Sequence, residues 1–325
     1  MDNSALTPIL VTGAHRSGTT WVGRMLAADA LTAYISEPLN VLHRPGVFRA
    51  RVSHWYQYIC DENGSEFLPA FRELLDFDYH LWAEIRSIRS LKDFLRMGRD
   101  FKIFSDALMH GQRALIKDPF AVFSVPWFVK NLNCKVVVVV RHPAAFASSL
   151  QRLNWPFDFQ HLLDQPLLMR DHLEPYRDEM QSTKPDDIFG QAALLWKMVY
   201  RSVQSTLRHG VPSQDGPREL DPGFILVRHE DLARDPVVGY RALYASLGLD
   251  FTPRVEKTIL NSSSSDNPAE LPRRKTHSIR LDSLASMDSW KKRLTAEEIR
   301  RVHRITEDVS HIYYSDQDWG LTGNE

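Results

Sequence analysis

The sequence predicts an α/β protein of the P-loop type, a three-layer fold with a central parallel sheet, helices on both faces and helical insertions forming a lid. Three observations predict it. Short apolar runs alternate with helix-length amphipathic segments, the pattern of strand–helix units around a parallel sheet. Val136-Val137-Val138-Val139-Val140 shows no polar alternation, as a central strand covered on both faces requires. Between the first apolar run and a helical segment lies Gly13-Ala14-His15-Arg16-Ser17-Gly18-Thr19-Thr20-Trp21, which has the glycine frame and closing hydroxyl of a phosphate-binding loop.

Five runs read as buried strands: Ile9 to Thr12, Thr32 to Ser36, Ala114 to Lys117, Lys135 to Arg141 and Phe224 to Arg228. Helices are predicted over Gly18 to Ala30, Pro143 to Leu153 and Ile188 to His209, where apolar residues recur at helical spacing. Thr295-Ala296-Glu297-Glu298 is a capping box ahead of Ile299, Val302 and Ile305. Inserted material falls at 43–110 and 151–187, with a further loop over 261–293 that turns basic at Arg273-Arg274-Lys275. A single domain over 1–325 with a lid is the expected organisation.

Composition sets limits. Hydrophobic content of 43% and charged content of 25% are ordinary for a globular chain of 325 residues. A net charge of −1 predicts no bulk affinity for nucleic acid or anionic membrane, so any anion site must be local. Two cysteines make no disulfide framework, and the thirteen histidines lack metal-ligand spacing. Met1-Asp2-Asn3-Ser4 carries no basic leader, and no apolar run reaches spanning length. A metal-free, cytoplasmic protein without a membrane span is expected.

In parallel sheets, ligands bind beyond the carboxyl ends of the strands. The strand ends here deliver the Gly13 to Thr20 loop, Glu37-Pro38, Lys117-Asp118-Pro119, Arg141-His142-Pro143 and His229-Glu230-Asp231. The loop lacks the lysine that would contact the β- and γ-phosphates of a nucleoside triphosphate; Thr19 stands in its place, and the cation inside the loop is Arg16. The end of the most buried strand supplies Arg141, where an ATPase has a magnesium-binding aspartate. The two cations suit two phosphate groups held directly by arginine.

These residues match a family. Arg16-Ser17-Gly18-Thr19-Thr20-Trp21 resembles the 5′-phosphosulfate loop of sulfotransferases that use 3′-phosphoadenosine-5′-phosphosulfate (PAPS). Arg141 with Ser149 resembles their 3′-phosphate motif, Val227 to Leu232 is similar to a family strand ending, and Lys275 with Trp290-Lys291 is loosely similar to their C-terminal elements. The matching pieces run from Ile9 to Leu294. Cytosolic members place a histidine base where Pro119 stands here. Tyrosylprotein and carbohydrate members instead use a glutamate after the second strand, and their pattern resembles Arg16, Glu37 and Lys117-Asp118-Pro119-Phe120.

The resemblance implies a PAPS-dependent O-sulfotransferase of bacterial, soluble type. PAPS is the co-substrate, PAP the product, and the acceptor a hydroxyl of a carbohydrate, glycolipid or other bulky alcohol. It assigns the base to Glu37, the leaving-group side to Arg16 and a developing charge to Lys117. It assigns cofactor binding to His15, Arg16, Ser17, Gly18, Thr19, Thr20, Trp21, Arg141 and Ser149, with closure by Arg273, Arg274, Lys275 or Arg280. For Glu37 a pairing with Arg16 is the structural alternative, and for Lys117 a pairing with Asp118. A P-loop kinase and a non-catalytic phosphate-binding protein are the rival functions. The first needs the absent loop lysine, and the second does not need Glu37 together with Lys117.

Overall fold

The computed structural model describes residues 6–42, 44–209, 224–270 and 280–320. The five predicted strands form one parallel sheet: β1 (Ile9–Gly13), β2 (Thr32–Ser36), β3 (Arg113–Lys117), β4 (Lys135–Val140) and β5 (Phe224–Arg228). Their order is β2-β3-β1-β4-β5, with Leu10 level with Ile116 on one side and Val136 on the other. The chain therefore reverses direction across the sheet beside β1, and the crevice at that point opens above the glycine loop. All five residues of β1 are buried, and so are Val136 to Val140 of β4.

Strand side chains alternate between two cores. Leu10, Ile116, Val136 and Val138 pack with Phe146, Trp196 and Tyr200 on one face. Val11, Leu115, Val137 and Val139 pack with Val22, Tyr240 and Tyr244 on the other. Helix α1 (Thr19–Leu26) is shorter than the 18–30 segment predicted for it. It stops at Ala27, and the following turn is closed by Thr32 Oγ1 donating to Asp29 at 2.9 Å.

The 43–110 insertion contains α2 (Gly64–Leu75), α3 (Leu81–Ser87) and α4 (Leu91–His110). Helix α4 buries Phe104 and Ala107 and packs against β2, so the last third of this segment is the crossover into β3 rather than lid. Ser90 caps its start by accepting from Asp93 N, and Gly111 ends it in the left-handed region. Helix α5 (Val125–Leu132) precedes β4, and α6 (Pro143–Leu153) follows it with the predicted bounds. The Ile188–His209 helix has its predicted bounds too, and Thr295 with Glu298 forms the predicted capping box. Among the described residues no helix is long and apolar enough to cross a membrane.

Candidate active site

The β1 loop closes tightly because two glycines allow it. A Cβ on Gly13, at φ 145°, would lie 2.3 Å from the Val139 carbonyl oxygen, and one on Gly18, at φ 99°, 2.4 Å from His229 Nδ1. Gly18 contributes no side-chain cap to α1, so the first-turn N–H groups remain available to a ligand. Two tyrosines from distant segments fix the loop. Tyr200 OH accepts from Ala14 N at 3.2 Å and donates to Val139 O at 2.8 Å. Tyr56 OH accepts from His15 N at 3.1 Å and stands 2.7 Å from His15 Nδ1.

His15 faces Phe120 and Phe157 within an aromatic cluster, and burial followed by the Arg16 charge pushes its pKa down to about 4. It is therefore neutral near pH 7 and orients the loop. Arg16 adopts φ 66°, stands 5.7 Å from the Trp155 ring and donates from Nε to Ser149 Oγ at 3.4 Å. Burial, with Arg141 and Arg152 adding repulsion, lowers its pKa to about 10, which leaves it a cation.

Arg141, at the end of β4, donates from Nη1 to the Arg16 carbonyl at 3.0 Å. Its Nε is buried without a hydrogen-bond partner, and so is Nδ1 of His229. Burial depresses the Arg141 pKa, and Glu230 partly restores it. Glu230 itself is a bracket: its carboxylate accepts from His142 N at 2.9 Å and from Tyr314 OH at 2.9 Å.

Glu37, immediately after β2, also sits at positive φ, 52°. Its N–H donates to Lys117 O at 2.7 Å, its carboxylate pairs with Lys117 Nζ, and its other oxygen accepts from Asn40 Nδ2 at 2.9 Å. Lys117 is 2% exposed and Glu37 24%. The partner of Lys117 is thus Glu37 and not its neighbour Asp118. Asp118 instead accepts from Leu39 N at 2.6 Å and Phe120 N at 3.0 Å, and burial beside Glu37 pushes its pKa up to about 7.

These groups surround a cavity of about 560 Å³. Its loop-side wall includes Arg16, Gly18 to Trp21, Arg141 and His229, while Glu37, Asn40, Trp55, Phe120, Trp155 and Phe157 form an aromatic half with one carboxylate. Trp21 both packs and lines. Its Nε1 donates to Ser262 at 3.1 Å, its ring makes T-shaped contacts with His229 and Tyr240, and the residue lines the cavity. Ser17 and Ser149 are buried outside the lining, and Ser149 supports Arg16 from behind. Lys117 reaches the cavity only through Glu37.

Arg280 is described and exposed, next to the cavity-lining Leu281, whereas Arg273, Arg274 and Lys275 lie outside the described residues. Trp290 is structural: it is 2% exposed and stacks on His142 at 4.6 Å. Sequence reasoning passed over Ser283 and Ser286 of the lining, and over Tyr56 and Tyr200 as loop anchors. No local pattern marks any of them, because each acts across a long sequence separation. Among the described residues no group of three or more His, Cys, Asp or Glu residues is placed to hold a metal.

Comparison with known proteins places this geometry in a family. The sequence profile described as "Sulfotransferase domain" matches residues 6–314. Human carbohydrate sulfotransferase 2 is 29% identical over 188 residues, 54% of this chain and 33% of that protein. Mouse carbohydrate sulfotransferase 5 is 39% identical over 90 residues, 27% of this chain and 22% of that protein. The matched part is thus about a third or less of the length of these curated relatives. The solved sulfotransferase STF9 from Mycobacterium avium aligns over 96% of this chain and 78% of its own, at 16% identity and a TM-score of 0.46. With the match running from ahead of β1 to Tyr314, the chain belongs to the sulfotransferase domain family.

Proposed function

We propose that the protein is a PAPS-dependent O-sulfotransferase acting on a hydroxyl of a carbohydrate, glycolipid or other bulky alcohol, in the cytoplasm. The observation that carries the reading is one cavity with two chemically distinct halves. One half has an uncapped helix start and two arginines; the other has a carboxylate paired with a buried lysine. Both cysteines are free, in keeping with a reducing compartment.

The residues fit the donor. The first-turn N–H groups of α1 and Arg16 suit one phosphate. The buried unpartnered atoms Arg141 Nε and His229 Nδ1 offer hydrogen-bonding capacity for the rest of the nucleotide. When bound, PAPS supplies an activated sulfuryl group on a phosphate leaving group. Arg16 holds positive charge on the phosphate side, where its value rises as charge develops. Glu37 is held toward the cavity by Asn40 and Lys117, placed to take the proton of an acceptor hydroxyl. Trp55, Phe120, Trp155 and Phe157 line the cavity on the side of that carboxylate and offer flat apolar faces to a sugar ring.

Two measurements test this. Isothermal titration with PAP should show saturable binding, and single-turnover transfer from labelled PAPS to a panel of sugars, glycolipids and phenols should identify an acceptor. Glu37→Gln should lower turnover by about 10²–10⁴. PAP affinity in that variant should stay within about threefold, since the lost interaction concerns only the acceptor. Absence of PAP binding would end the reading, and full turnover in the variant would remove Glu37 from the chemistry.

A further inference from the structure

The helical pair α3–α4 presents an apolar surface to solvent. On α4, Leu91 is 74% exposed, Phe94 54%, Leu95 64%, Phe101 44%, Leu108 65% and Met109 70%. Their spacing of three, four and seven places them along one stripe of the helix. This stripe is separate from the buried one of Met97, Phe104 and Ala107. Trp82, at 74%, and Ile85, at 40%, extend it from α3. Exposed apolar residues scattered singly are ordinary; eight gathered on two adjoining helices, interrupted on α4 by Gly98, Lys102 and Ser105, are not.

The flank of that row is basic. Residues 81–109 carry Arg86, Arg89, Lys92, Arg96, Arg99 and Lys102 against the four acids Glu84, Asp93, Asp100 and Asp106, in a chain whose net charge is −1. Arg96, Arg99 and Lys102 are ion-paired with Asp93, Asp100 and Asp106. Two of the acids, Glu84 and Asp100, are buried. Arg96 and Arg99 lead from this flank into a second cavity of about 370 Å³, where Arg24, Arg44 and Lys117 also contribute. Asp100 is shared there between Arg44 at 2.8 Å and Arg99 at 3.0 Å. Glu37 lines both this cavity and the main one.

The geometry points to α3–α4 as a docking face for an anionic phospholipid surface, which would bring an acceptor with an anionic headgroup to the arginine-lined cavity beside Glu37. Tryptophan, phenylalanine and leucine on one side of a helix with lysine and arginine beside them is the composition that settles at the headgroup boundary. Long basic side chains there keep their charge in the headgroup layer while their stems lie on apolar surface. A second copy is the poorer partner, because an isologous contact would bring the same cations against themselves. The docking face stands apart from the sulfotransferase reading, and only the role of the second cavity rests on it.

Co-sedimentation tests the face. The full chain is mixed with vesicles of phosphatidylcholine alone and with vesicles containing phosphatidylglycerol, with and without the paired substitution F94E/L95E. The wild-type protein should pellet with the phosphatidylglycerol vesicles only. The variant should need at least about tenfold more lipid, since it replaces two exposed apolar groups that would enter the lipid with carboxylates repelled by it. Its PAP titration and melting curve should match wild type, which separates this test from that of the transfer activity. Wild-type protein left in the supernatant with both vesicle types would overturn the proposal, as would unchanged pelleting of the variant. A concentration-dependent dimer abolished by F94E/L95E, without vesicle binding, would also overturn it and assign the face to a second copy.

Discussion

The two halves of the main cavity hold their charges differently. On the loop side, Arg141 donates to a carbonyl oxygen with the Glu230 charge acting on it, and Arg16 meets a hydroxyl and an indole face. Around the β2–β3 edge, Lys117 is met directly by the carboxylate of Glu37. A cation in direct contact with a carboxylate sets the position of that carboxylate, as Lys117 does for Glu37. In the proposed reading, one half serves to bind the nucleotide and the other to move a proton. Burial reinforces the division by keeping His15 neutral, so the loop presents its positive charge at Arg16.

The comparison breaks most easily at Lys117. Lys117→Met removes the buried partner of Glu37 and should lower turnover by about 10²–10³, the usual effect of losing one oriented charge at the reacting centre. PAP affinity should hold, because Lys117 does not line the donor half. A large loss of PAP binding with intact turnover would reverse the assignment of the halves. A double variant with Glu37→Gln should be little worse than either single, since paired groups act as a unit.

Arg141→Ala is the matching break on the donor side. PAP binding should weaken roughly 30- to 150-fold, about 2–3 kcal/mol for a lost charge-assisted contact. Calorimetry reads this directly. A change below about threefold would leave Arg141 only its bond to the Arg16 carbonyl, a structural duty.

The smallest effect concerns His15. Its folded pKa, about 4, lies below the ordinary 6.5, so its contribution to stability is complete above that value and is lost as pH falls toward 4. His15→Phe keeps the ring packing and removes the titration. Between neutrality and about pH 5, its melting temperature should fall less than that of wild type. Equal falls would mean that the imidazole is already hydrated and the loop less tightly enclosed than its aromatic contacts indicate.

The fold was largely legible because its signals are local. Val136 to Val140 has one sensible environment, and the Thr295 capping box and the Pro143 start of α6 stand where the sequence places them. The exception is the 43–110 stretch, which the sequence presents as inserted material, while α4 within it is a crossover helix on β2. Its exposed leucines and phenylalanines resemble core positions in a one-dimensional reading, and only packing shows which stripe is buried.

The site divides in the same way. The chain itself determined the glycine loop, the displaced cation Arg16, and the strand ends that gather Glu37, Lys117 and Arg141, because strand-end position and residue type are both encoded locally. The pairing of Glu37 with Lys117, the placing of Ser149 behind Arg16, and the tyrosine anchors Tyr56 and Tyr200 were decided by tertiary structure. Each of these joins groups between 41 and 186 residues apart. Hydrogen-bond partners at such separations are chosen by how the layers pack, and no local pattern of residues carries that choice.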